Sequence, residues 1–300
     1  MRRAAVAAGS LMLAACASGG AEPQPQAAAV VQPVRTVPAS QPPPAEQPRP
    51  EVFTFDGQLT QGGWIRGQAP WRATRVTLGD TVLPLDAEGR FFAAFDRDAP
   101  ASARLTAVLA DGRTIESPLA VVPRAWQIER VNVARAPGGA TEAFMARRRP
   151  ELARIAAARA ADTGSGGWRQ AFVWPVTGRI SGRFGSQRIY RGEPAAYHSG
   201  LDIAPGAGVP YVSPADGIVV LAAASPFTLE GNLLIVDHGA GLNSAFLHSQ
   251  SLAVREGDRV RQGQLLGHVG ATGRATGPHL HWSLEWQGAR LDPLLFLPPQ

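Results

Sequence analysis

Gly277-Pro278-His279-Leu280-His281-Trp282-Ser283-Leu284-Glu285-Trp286 alternates polar and apolar side chains, the pattern of a half-buried strand. Residues i and i+2 of a strand share a face, roughly 6.5–7 Å apart. His279 and His281 are therefore expected to project into one groove, with Leu280 anchored in the core behind them. A lone His-x-His is more often a pair of solvated surface residues than a ligand set. This pair has company: His198-Ser199-Gly200-Leu201-Asp202 lies upstream, and Phe246-Leu247-His248 lies between. Gly200 lets the loop after His198 turn back, so that His198 and Asp202 converge. Two imidazoles and one carboxylate suit a single zinc ion, with a fourth position left for water.

The 300 residues are 45% hydrophobic and 18% charged, which supports one or two real cores and argues against a charge-rich disordered chain. All 29 basic residues are arginine, and the net charge of +5 is unevenly placed. Arginines minus carboxylates give +2 for residues 1–50, −1 for 51–124, +3 for 125–167 and +1 for 168–300. The histidine-bearing segment is thus near neutral and lacks the basic stripe of a nucleic-acid surface. The excess in the tail and connector reads as solvated charge, with weak attraction to an anionic wall or lipid surface as its functional counterpart.

At the N-terminus, Arg2-Arg3 precedes an apolar run, Ala4 to Ala15, too short to span a bilayer. It ends in Leu13-Ala14-Ala15-Cys16, which reads as an export signal (residues 1–16) and resembles the bacterial lipobox. That resemblance implies cleavage before Cys16, lipidation of Cys16 and, with Ala17 following, transfer to an outer membrane. Cys16 is the only cysteine, so no intrachain disulfide is possible. Residues 17–50 are rich in Pro, Ala and Gln, the composition of an extended tether without a packed core.

From residue 51 to 124 short alternating runs are cut by turn signals, among them Asp111-Gly112, and some seven strands predict a small β-sandwich. No cluster of titratable residues stands out there, which leaves spacing or docking as its expected job. Residues 125–167 read as a helical connector: Thr141 caps one short helix, and Pro150 opens another running to Ala161. Leu152, Ile155 and Ala156 form a thin apolar stripe for a neighbouring surface, and Gly164-Ser165-Gly166-Gly167 reads as a hinge. The stripe and hinge place residues 141–162 to cover part of the groove.

From residue 168 to 300 Gly-punctuated strands dominate. His198-x-x-x-Asp202, His248 and His279-x-His281 are interleaved with Asp216-Gly217, Gly257-Asp258-x-Val260-x-x-Gly263-Gln264 and Gly270-Ala271-Thr272-Gly273. This series resembles the LytM-type zinc peptidases, the M23 family of peptidoglycan endopeptidases, over about residues 174–298. The resemblance implies a mainly β fold with an antiparallel sheet and a long groove. It implies one zinc per chain on His198, Asp202 and His281, with His248 and His279 as acid–base residues in unassigned order. Ser249 stands where the family usually has Leu, which bears on the groove wall and leaves the ligand set intact.

His238 and His268 lie at strand ends and read as structural; Asp237 and Glu285 are candidates to support a ligand histidine. Two functional classes remain. One is a lipid-anchored periplasmic endopeptidase cutting peptidoglycan cross-links, with cell-division or wall-remodelling regulators as further partners. The other is a non-catalytic adaptor that binds wall or activates amidases. A lipoyl- or biotinyl-type carrier, which the Gly-flanked strands also resemble, is excluded because the chain has no lysine to carry the cofactor.

Overall fold

Turn residues cut the segment from Thr54 to Ala120 into seven short strands: β1 (Thr54–Gly57), β2 (Trp64–Gln68), β3 (Ala73–Leu78), β4 (Thr81–Leu83), β5 (Arg90–Ala94), β6 (Ser102–Leu109) and β7 (Thr114–Ala120). They form two antiparallel sheets, in order β1-β2-β5 and β4-β3-β6-β7. Alternate residues point inward, and Ile65, Val76, Phe91, Leu105 and Ala107 are fully buried in one cluster between the sheets. This is the expected sandwich. The structure, a computed structural model, describes residues 50–134, 140–223 and 225–299. The export signal, Cys16 and the tether up to residue 49 lie outside the described residues.

The connector holds β8 (Ile128–Val131) and α1 (Glu142–Arg159). Then follow β9 (Arg179–Gly182), β10 (Gln187–Tyr190), β11 (Glu193–Pro194), β12 (Leu201–Ala204), β13 (Pro210–Val212), β14 (Gly217–Ala222), β15 (Asn232–Gly239) and β16 (Leu242–Ser249). The last are β17 (Ser251–Leu252), β18 (Arg259–Val260), β19 (Leu265–His268), β20 (Leu280–Trp286) and β21 (Ala289–Leu291). An antiparallel sheet runs β18-β14-β15-β16-β20-β12-β9, with β21 beside β20. Its two faces are separated residue by residue. Leu234, Val236, Phe246, Leu280, Trp282 and Leu284 point into the core that the sandwich also enters, while Leu233, Ile235 and Ala245 point to the face under α1. A small sheet, β8-β10-β11, in which β8 runs parallel to β10, stands beside that second face.

Three features of the connector differ from the sequence reading. One helix, not two, crosses Pro150; the ring removes a helical hydrogen bond, and buried ion pairs of Arg148 and Glu151 hold the turn on either side. Of the apolar stripe only Ile155 packs on the sheet, joined by the buried Ala158, whereas Leu152 is 43% exposed. The Gly164–Gly167 stretch is wedged at its far end, where a Cβ on Gly167 would lie 1.9 Å from the Asp216 carbonyl oxygen, whereas nothing lies within 4 Å of the Gly164 Cβ position. Residues 47–300 form one contact unit. Phe92 of the sandwich meets Trp286 and Phe296 with ring centres 6.3 and 6.4 Å apart, and the Trp64 indole donates to the Leu295 carbonyl at 3.0 Å. Sandwich and large sheet thereby share a single core.

Candidate metal centre

β20 lies between β16 and β12, and the register fixes the site. His281 stands opposite Asp202 on one side and Leu247 on the other. His198 precedes β12 on a loop pinned by backbone bonds: its N–H donates to Ser186 at 2.8 Å and its carbonyl accepts from Gly185 at 2.8 Å. Gly200 serves here by absence of a side chain rather than by a turn. Its φ is not in the left-handed region, and a Cβ there would lie 2.6 Å from both His281 Nε2 and the Trp282 carbonyl oxygen. Gly182 has the same role on β9, where a Cβ would lie 2.3 Å from Asp202 Oδ2.

Three donor atoms meet. Asp202 Oδ1 is 2.8 Å from His281 Nδ1 and 3.1 Å from His198 Nε2, and those two nitrogens are 3.1 Å apart. Tetrahedral zinc with bonds of about 2.0–2.1 Å spaces its ligands by roughly 3.3 Å. A relaxation of a few tenths of an ångström therefore fits the trio to one ion. The donor set fits a metal: His198 Nδ1 donates to the Arg183 carbonyl at 3.1 Å, which aims Nε2 at Asp202. Burial opposes the charge, yet the Asp202 hydrogen bond raises the His198 pKa, and a metal would take the place of that Nε2 proton. Burial works against the Asp202 charge, but hydrogen bonds from His198 and His281 override it and hold the carboxyl far below the ordinary carboxylate range. Burial also lowers the pKa of His281, favouring the neutral ring that a metal needs.

Two further imidazoles flank this trio. The ring centres of His248 and His279 are 4.9 Å apart, and His279 Nε2 lies 3.7 Å from Asp202 Oδ1. His248 Nδ1 donates to the Thr272 carbonyl at 2.8 Å and His279 Nδ1 to the Gly277 carbonyl at 2.8 Å. Each ring thus keeps a lone pair on Nε2. Burial lowers the pKa of His248 and keeps it neutral near pH 7. All five residues singled out from the sequence lie together; His198 and Asp202 line a groove of about 810 Å³, and His281 lines a smaller cavity of about 190 Å³ under α1.

Residues 196–293 match the family model described as Peptidase family M23. The chain carries an M23 peptidase domain. The Vibrio cholerae peptidoglycan DD-endopeptidase ShyA is 37% identical over 117 residues, which cover 39% of this chain and 27% of that one. A Pseudomonas aeruginosa lipoprotein, an NlpD/LppB homolog, is 36% identical over 133 residues, 44% of this chain and 40% of that one. The murein hydrolase activator NlpD of Salmonella dublin is 33% identical over 128 residues, 43% and 32% of the two chains. Each match thus spans less than half of the relative's length. A crystal structure of a Pseudomonas aeruginosa protein assigned to peptidase M23 superposes with a TM-score of 0.62 at 28% identity, covering 80% of this chain and 95% of that chain. Its coverage extends the likeness beyond the M23 domain into the preceding segments.

Elsewhere in the M23 domain, His238 is fully buried, donates or accepts between the Asp216 carbonyl and Ser244 Oγ at 2.8 Å each, and has its pKa pushed down to about 4 by burial. His268 pairs with Ser251 at 3.1 Å. Neither candidate carboxylate supports a ligand histidine. Asp237 accepts from Thr163 and Gly239, and Glu285 pairs with Arg159. Ser249 is not on the groove wall; it is fully buried and bonds the Tyr211 hydroxyl at 2.7 Å. The supports that do hold the imidazoles are backbone carbonyls of residues 183, 272 and 277. No side-chain pattern signals such groups, so sequence reading passed over them.

Proposed function

We propose that the chain is a zinc-dependent endopeptidase that hydrolyses peptide cross-links of bacterial peptidoglycan, tethered in the cell envelope at the outer membrane through Cys16. The observation that carries this reading is a complete three-donor set with two further imidazoles, those of His248 and His279, packed beside it. A zinc ion bound there would supply a Lewis acid for a carbonyl and lower the pKa of water to about 7. The chain's residues do the rest. Asp202, His198 and His281 would hold the ion in place. His248 and His279, fixed by their Nδ1 bonds, each offer Nε2 to take or return a proton at the reacting centre. The groove, with its wall of β8 and β10, orients an extended peptide beside them.

A second reading, a wall-binding adaptor that activates amidases, is favoured by one observation. Helix α1 lies on the same sheet face as His281, with a cavity of only about 190 Å³ between them. The experiment separates the two. Full-length protein incubated with purified wall releases cleaved muropeptides, identified by mass spectrometry, and chelator abolishes release. His281→Ala loses both zinc and cleavage, while His248→Ala loses cleavage and keeps zinc. Zinc-loaded parent that solubilises nothing yet stimulates an added amidase supports the adaptor instead.

A further inference from the structure

His248 sits at φ +64, the left-handed region that a non-glycine residue occupies only when its surroundings force it. What forces it is the loop 228–231. The His248 N–H donates to the Glu230 carbonyl at 2.8 Å, and the Arg274 N–H donates to the Leu229 carbonyl at 2.9 Å. The Asn232 N–H donates to Thr272 Oγ1 at 2.9 Å. A Cβ on Gly231 would lie 2.2 Å from Thr272 Oγ1, and one on Gly273 would lie 2.3 Å from the Gly231 nitrogen. One short loop therefore grips the His248 backbone and also the 272–274 segment whose Thr272 carbonyl orients the His248 ring. The side chains of that loop point the other way, and α1 holds them. Arg148 makes a bidentate pair with Glu230, 2.6 Å on each arm, both side chains nearly buried. Glu151 accepts from the Thr228 N–H and hydroxyl at 2.7 Å each, and the Arg154 guanidinium lies 5.2 Å from the Phe227 ring.

We propose that Arg148, Glu151 and Glu230 are positioning residues for His248: α1, which lies outside the stretch that matches the M23 model, clamps the loop that sets the imidazole's place. The inference rests on the endopeptidase reading for its catalytic consequence, and on geometry alone for the linkage. A carboxylate held by one nearly buried, bidentate guanidinium has a fixed position that a solvated or singly bonded one lacks. Among the described residues Glu230 has no other side-chain partner. Loss of the pair frees the loop, and displacement of a catalytic group by about 1 Å costs on the order of 100-fold in rate.

The test uses the full chain loaded with zinc and four variants. In Arg148→Gln and Glu230→Gln, hydrogen exchange at the His248 amide is expected to rise at least tenfold, while β14 and β20 stay as protected as in the parent. Zinc content stays at one, KM for a soluble cross-linked muropeptide stays near the parent value, and kcat falls by roughly 10–100-fold. Arg148→Lys recovers part of kcat, because a single charge-assisted bond remains. Arg149→Gln, which breaks only an exposed pair with Glu142 on the same helix, changes none of these. Unchanged exchange at His248, or exchange rising equally across the sheet, overturns the proposal. So does loosened His248 with an unaltered kcat. If the parent cleaves no wall, the endopeptidase reading falls, and the exchange measurement still decides whether α1 holds His248.

Discussion

Replacing Gly200 by alanine tests whether the metal centre depends on backbone contact at that point. The added methyl would lie 2.6 Å from the Trp282 carbonyl oxygen and 2.6 and 2.9 Å from two atoms of the His281 ring. Ordinary contacts require 3.5 Å or so, so something has to give by roughly half an ångström or more. The carbonyl belongs to β20, which is paired on both sides, so the cheapest yield is rotation of His281 away from Asp202. Ligand distances tolerate only about 0.2 Å. Zinc affinity is therefore expected to drop about 10–100-fold, and the metal-free protein to lose about 1–3 kcal/mol from overpacking. Competition titration against a chromophoric chelator reads the first, and urea unfolding in EDTA the second. Gly277→Ala is the control, since nothing lies within 4 Å of its Cβ position and its φ is not left-handed. Zinc affinity of Gly200→Ala within twofold of the parent would refute the contact argument.

Two further outcomes follow from groups away from the centre. His238, with an ordinary value of 6.5 and a folded value near 4, is held neutral, so its contribution is intact above pH 6.5 and lost as pH falls towards 4. That span corresponds to about 3 kcal/mol, and His238→Gln should flatten the parent's acid loss by about this amount in urea unfolding with EDTA present; an identical pH slope in the variant counts against it. Phe92→Ala, at a site with no exposure, should cost about 3–5 kcal/mol and shift one cooperative transition that includes the M23 domain. Two separate transitions, with only the sandwich destabilised, would show that the core is not shared.

The parts of the fold that alternate could be read from the chain, and the parts that depend on distant partners could not. The sandwich strands were legible because short apolar or alternating runs, such as Arg90–Ala94 and Ser102–Leu109, stand between turn residues. The meeting of His198, Asp202, His248, His279 and His281 was legible because several His and Asp residues at strand spacing recur in one segment. Pro150 misled, since a proline predicts a helix start by its own chemistry; of the ion pairs that carry α1 through it, Arg148–Glu230 joins residues 82 positions apart. Gly164–Gly167 misled likewise: a glycine run signals freedom locally, but here Gly167 admits the Asp216 backbone, and the missing side chain of Gly239 admits the Ser165 carbonyl. Ser249 marked a real departure, but its partner, Tyr211, is reached only by the folding of two sheets onto each other.

The donor trio and the flanking histidines are supported by different parts of the chain, and this bears on how the two functional readings relate. His198, Asp202 and His281 are fixed by β12, β20 and the 183–186 loop, all inside or next to the M23 domain. His248 is fixed through loop 228–231, whose outward side chains α1 grips. A change in the connector can therefore loosen His248 while leaving the trio whole. Metal binding and proton transfer are separable in such an architecture, so a relative could keep one and lose the other by altering residues far from any histidine. An intact ligand set is accordingly weaker evidence for catalysis than the ligand set together with a docked α1. The measurement that discriminates is zinc content and muropeptide release taken on the same Arg148 variant: retained zinc with lost release places the difference between enzyme and adaptor in the connector, whereas joint loss returns it to the metal centre.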